Sequence, residues 1–176
     1  DALAFTARDT DLFVEQVRQN WKCEAAVLAT CNRTEFYLYG PALLDLWSRL
    51  KPLVADIRQI KEDTIPTPAL FTDDGAIRHL FRVAAGLESI AIGENQILGQ
   101  IGDVHDYLLN AARKSPILCR LFHFAVRTGK RVRTETSLCE GSISISSAAV
   151  DLALKIFGSF AHREILIVGA GETAEK

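Results

Sequence analysis

The sequence predicts an α+β domain with long helices, followed by the start of a Rossmann-like α/β unit, on three observations. A helix, two short strands and a turn follow one another over residues 10–39, helical periodicity dominates residues 73–136, and an apolar strand runs straight into a glycine-rich turn over residues 164–174. The change of pattern divides the chain into residues 1–141 and residues 142–176. Its 176 residues, 48% hydrophobic and 24% charged, have a globular composition, and no stretch approaches the ~20 apolar residues of a membrane span. Asp1 opens no basic segment with an apolar core behind it, and Cys23, Cys31, Cys119 and Cys139 form no Cys-x-x-Cys pair. Thiols in a reducing cytoplasm are therefore expected, and a metal site is not. A net charge of -2 argues against indiscriminate nucleic-acid binding but permits a local basic patch, which Arg127, Lys130, Arg131 and Arg133 supply on one helical stretch.

Thr10 to Trp21 carries Leu12, Phe13 and Val17 at helical spacing, with Asp9 or Thr10 as the expected cap. The run from Ala25 reads as a buried strand. Glu35, Tyr37 and Tyr39, alternating with Phe36 and Leu38, read as a half-exposed one, so Thr30 to Arg33 is the turn between them. A second helical stretch, residues 42–60, is bent or interrupted at Pro52, and Thr64-Ile-Pro-Thr-Pro marks a loop before an extended piece at residues 70–72. Asp73 or Asp74 caps the next helix, whose apolar stripe is Ile77, Leu80, Phe81 and Ala84; Arg78, His79 and Arg82 lie off it, so His79 is free to face a cleft. Long helices follow over residues 94–113 and 116–136, the latter with Pro116 in its first turn. A Ser-rich entry then leads into an apolar helix ending near Phe160.

Two places carry chemistry. Cys31 sits in the turn at the end of an apolar strand with Arg33 two residues on, and a guanidinium favours the thiolate, which is the nucleophilic form. A free cysteine is otherwise a small buried hydrophobe. The strand Glu164-Ile-Leu-Ile-Val enters Gly169-Ala170-Gly171-Glu172-Thr173-Ala174, the Gly-x-Gly-x-x-Ala opening of a dinucleotide-binding unit. Gly169 allows the tight turn, Gly171 lets the backbone approach a pyrophosphate, and Ala174 permits close helix packing.

Thr30-Cys-Asn-Arg-Thr-Glu, Gly86-Leu-Glu-Ser-Ile-Ala-Ile-Gly-Glu-Asn-Gln-Ile-Leu-Gly-Gln, Lys130-Arg-Val-Arg-Thr-Glu-Thr and Val168-Gly-Ala-Gly-Glu-Thr stand in the order and approximate spacing of one family. Together they resemble glutamyl-tRNA reductase over nearly the whole chain. One departure is Asn95, where the family usually has proline, which leaves that backbone less constrained. The family pattern also has a strand with an Asn-His motif before this chain's first helix and, after Lys176, the rest of an NADPH domain and a long helical dimerisation domain.

The resemblance implies that Cys31 attacks the ester of glutamyl-tRNA(Glu), releases the tRNA and forms a thioester that NADPH reduces to glutamate-1-semialdehyde, on the route to tetrapyrroles and haem. By the same carry-over Thr30, Asn32, Arg33, Ser89, Glu94, Asn95, Gln96 and Gln100 line the glutamate pocket. Arg33 is suited to the substrate carboxylate and Glu94 to its ammonium. His79 matches a family position that matters for activity, and residues 169–174 begin the NADPH site. A homodimer, contact with the downstream semialdehyde aminomutase and a cytoplasmic location (plastid stroma in a plant) are likewise implied. Two other readings are a thioester-forming NAD(P) dehydrogenase acting on free substrates and a non-catalytic paralogue that binds tRNA or a partner.

Overall fold

The computed structural model describes residues 4–30, 33–41, 45–89, 96–110, 115–139, 145–161, 163, 164 and 166. Its centre is an antiparallel hairpin of β1 (Glu24–Ala29) and β2 (Thr34–Tyr39), in register from Glu24 opposite Tyr39 to Ala29 opposite Thr34. Helices cover both faces. Alternation sends Ala25 and Val27 of β1 to one side, against α1 (Ala7–Trp21) and α2 (Leu46–Arg58), where Phe13, Val17 and Val54 are buried. Ala26 and Leu28 point to the other side, against α3 (Asp73–Ala84), α4 (Gln96–Asn110) and α5 (Pro116–Glu135), where Leu80, Ile101 and Phe122 are buried. The expected buried strand is therefore β1. The expected half-exposed strand differs at Tyr37, which is buried edge-on against the Phe122 ring, because α5 closes over the face left open in the sequence reading.

The helix ends differ from expectation for local reasons. Thr6, rather than Asp9 or Thr10, caps α1: its hydroxyl accepts the Asp9 N–H at 3.2 Å, while the Asp9 carboxylate accepts the Thr6 N–H at 2.9 Å. Asp9 thus belongs to the capping box as its acidic partner, and also pairs with Arg58 of α2 at 2.7 Å. Helix α2 runs unbroken through Pro52. In α3 neither aspartate caps; Thr72 is the extended N-cap residue, and the buried face is Leu80, Val83 and Ala84, which leaves Ile77 exposed. Helix α5 is started from outside itself. Its own Ser115 makes no side-chain cap, and the Glu24 carboxylate of β1 accepts the N–H groups of Ile117 and Leu118, each at 2.9 Å.

The apolar helix α6 (Ile145–Phe157) packs against none of the other described elements. Beyond it, Glu164 and Leu166 carry no strand pairing, and the glycine-rich segment 169–174 lies outside the described residues. Among the described residues the fold is thus mostly helical with one two-stranded sheet, and the Rossmann-like unit is not part of it. No helix among them is long and apolar enough to cross a membrane.

Candidate active site

Two tight turns build the site. The first joins β1 to β2: Thr30 N–H donates to the Arg33 carbonyl at 2.8 Å, and Arg33 N–H donates back to the Thr30 hydroxyl at 3.1 Å. Thr30 is thereby a structural clasp of this turn. Cys31 and Asn32 come between these residues in sequence and lie outside the described residues. The second turn ends α3. Gly86 takes a φ of 78°, its N–H reaching the Val83 carbonyl and that of Leu87 the Arg82 carbonyl, each at 2.9 Å. This left-handed reversal suits glycine and sets the path of Glu88 and Ser89.

Arg33 ties the two turns together. Its Nη2 donates to the backbone carbonyl of Glu88 and its Nη1 lies 3.4 Å from Glu35 Oε1. Glu35 is the hub of the cluster. Its Oε1 also meets His79 Nε2 at 3.1 Å, and its Oε2 accepts the Tyr37 hydroxyl at 2.5 Å. Burial, with the Glu35 charge beside it, pushes the Tyr37 hydroxyl far above its ordinary titration range, so it stays a donor. The His79 ring is covered by Phe71, whose plane lies 9° from parallel with centroids 4.4 Å apart. On the outer side Arg82 pairs with the Glu88 carboxylate at 2.5 Å and holds that carboxyl below its usual range. With side chains of Arg33, Glu35 and His79 only 26%, 14% and 17% exposed, this is a half-buried network rather than a surface ion pair.

Of the residues expected in the pocket, Thr30, Arg33 and His79 are therefore brought to one region, and the half-buried Ser89 directly follows the residue that Arg33 grips. Gln96 is exposed and Gln100 half-buried on α4. Asn32, Glu94 and Asn95, like Cys31, lie outside the described residues. Sequence reasoning did not assign Glu35, Tyr37, Phe71 or Glu88 to the site. Glu35 and Tyr37 had a signal, since they follow Arg33 at two-residue steps on one strand face. Phe71 and Glu88 had none. An apolar groove of about 480 Å³ between α3 and α5, lined by Ile77, Phe81, Leu87 and Val132, contains none of the expected residues. Among the described residues no three His, Cys, Asp or Glu side chains come together as metal ligands.

In the basic stretch of α5, Arg127, Lys130 and Arg131 share one exposed face, while Arg133 is half-buried and rotated off it. Arg131 is already engaged by Glu135 in two bonds of 3.0 Å.

Residues 1–136 match the family model described as glutamyl-tRNAGlu reductase, N-terminal domain. The chain belongs to the glutamyl-tRNA reductase family. It is 42% identical to a glutamyl-tRNA reductase of Rubrobacter xylanophilus over 86% of its own length and 35% of that relative. It is 43% identical to one from Methanosarcina acetivorans over 85% of its length and 31% of that relative. A solved glutamyl-tRNA reductase from Methanopyrus kandleri matches with a TM-score of 0.63 and 32% identity, over 96% of this chain and 41% of that one. The chain thus spans about a third of the length of these curated reductases, and the hairpin and helices α1 to α5 fall within the residues that match the reductase N-terminal domain.

Proposed function

We propose that this chain carries the glutamyl-accepting site of an NADPH-dependent reductase that converts glutamyl-tRNA(Glu) to glutamate-1-semialdehyde through a Cys31 thioester. The observation that supports it most is the anchoring of Arg33. Its guanidinium is fixed between Glu35 and the Glu88 carbonyl, two residues from Cys31 in sequence and against the turn that carries Ser89. A guanidinium has five N–H donors, and among the described residues two are used there, which leaves donors for a substrate carboxylate.

In this reading the Cys31 thiolate attacks the ester carbonyl, the carbon–sulfur bond forms, and the carbon–oxygen bond to the tRNA breaks with the ribose oxygen leaving as a hydroxyl once protonated. An ester is required because a free carboxylate resists thiolate attack. Arg33 holds the glutamate side-chain carboxylate, Glu94 its ammonium, and Asn32, Ser89, Asn95, Gln96 and Gln100 supply the remaining polar contacts. His79 shuttles a proton, taking the one that the Cys31 thiol gives up and passing it to the leaving oxygen. NADPH, when bound at Gly169 to Ala174, supplies hydride for the reduction of the thioester. Arg127 and Lys130 are the α5 cations best placed to meet tRNA phosphates, because Arg131 is paired with Glu135. A cytoplasmic homodimer working beside the aminomutase that consumes the semialdehyde belongs to the same reading.

The test is incubation with tRNA carrying isotopically labelled glutamate, followed by mass spectrometry of the Cys31 peptide. Label on Cys31, absent in Cys31→Ser, is expected, because a serine hydroxyl is far less ionised than a thiol. Absence of label in the unsubstituted protein, or full turnover by the serine variant, would exclude the thioester route.

A further inference from the structure

We propose that Glu35 and Phe71 are positioning residues that clamp His79, Glu35 at its edge and Phe71 on its face, leaving Nδ1 as the nitrogen that accepts a hydrogen bond or a proton. The edge contact fixes the tautomer by elimination. Glu35 Oε1 faces Arg33 Nη1 at 3.4 Å, and a guanidinium only donates, so that oxygen carries no proton. His79 Nε2, 3.1 Å from the same oxygen, must then bring the hydrogen itself. A neutral imidazole with its proton on Nε2 has its lone pair on Nδ1. The second carboxylate oxygen is held by the Tyr37 hydroxyl at 2.5 Å, which stops Glu35 from rotating away.

The face contact accounts for an otherwise unexplained side chain. Phe71 belongs to neither core cluster and is 48% exposed, next to Leu70 at 65%, yet its ring lies almost parallel to the His79 imidazole. Burial of apolar area does not account for a half-wet phenylalanine. Stacking does: it removes water from one imidazole face and hinders the ring rotation that would exchange the two nitrogens. Glu35 alone would hold one atom of the ring; with Phe71 the plane is held as well.

The catalytic consequence rests on the placing of His79 in the glutamyl site, whereas the clamp itself does not, and the experiment separates the two. In the complete chain labelled with 15N-histidine, the His79 signals are identified by their loss in His79→Gln. The Nε2–H pattern is expected in the unsubstituted protein. It should give way to mixed tautomers in Glu35→Gln, and the ring-proton shifts should lose their aromatic displacement in Phe71→Leu and keep it in Phe71→Tyr. In turnover with glutamyl-tRNA, Phe71→Leu is expected to lower kcat about tenfold with KM within about twofold, and Phe71→Tyr to restore it. An Nδ1–H pattern in the unsubstituted protein, or Phe71→Leu with unchanged ring shifts, would overturn the clamp. Altered shifts with unchanged kcat would uphold the clamp and remove His79 from the reaction instead.

Discussion

The proposed function gives Arg33 two jobs, and they conflict unless its geometry is rigid. It bridges the Glu35 side chain of β2 and a backbone carbonyl from the turn after α3, and in the proposed function its other donors meet a substrate carboxylate. Lysine keeps the charge but presents one compact ammonium, which cannot span both anchors and a two-pronged ligand. Arg33→Lys is therefore expected to lower kcat/KM for glutamyl-tRNA by about tenfold or more, a loss of at least ~1.4 kcal/mol of transition-state binding. Steady-state kinetics alongside circular dichroism would check this, and unchanged kcat/KM would take Arg33 out of the pocket. The pairing of Arg33 with Glu35 was foreseeable from their two-residue spacing on a strand. The grip on Glu88 was not, because it joins residues 55 apart and depends on where the α3 turn is delivered.

The helices are placed by contacts that leave little space. Gly129 is buried in α5 where it crosses α3 and α4: a Cβ there would stand 2.5 Å from the Ala84 carbonyl oxygen and 2.7 Å from a Leu98 methyl. The backbone oxygen cannot move aside without shifting α3, which also carries His79 and ends in the turn gripped by Arg33. Gly129→Ala is thus expected to destabilise the fold by about 1–3 kcal/mol, measured by denaturant unfolding. It should also disturb the His79 environment although residue 129 touches none of the site side chains. Helix periodicity gave the spans of α1, α4 and α5 nearly as expected, since amphipathic spacing is a local property. It misjudged the inward stripe of α3, because Val83 rather than Ile77 is buried in the core, a choice made by the packing partners.

For the molecule as a whole, the hairpin is held between two helical layers, and the outer layer depends on a charge. The Asp9 carboxyl accepts the Thr6 N–H and hydroxyl and pairs with Arg58, which holds it below its ordinary value of 3.8. A carboxylate with a depressed native pKa contributes stability that is fully present above the unfolded value and is lost as pH falls through the folded one. Cap and α1–α2 tie should therefore weaken together below about pH 4, as Asp9 takes up its proton. Unfolding free energies measured from pH 6 downward should fall more steeply in the unsubstituted chain than in Asp9→Asn. Equal slopes would show that this pair does not govern the acid limb.

What the sequence determined by itself were the features that depend on neighbours along the chain: the Thr30 to Arg33 turn, the buried β1 run, the long helices and the motif order that marks the reductase family. Those follow from period, caps and turn chemistry, which act over a few residues. Tertiary structure alone decided that Tyr37 is buried, that Glu24 starts α5, and that His79 comes to Glu35 with Phe71 lying over its ring. Each is a contact whose partners come together only when the hairpin is enclosed between its helical layers, so no local periodicity encodes it.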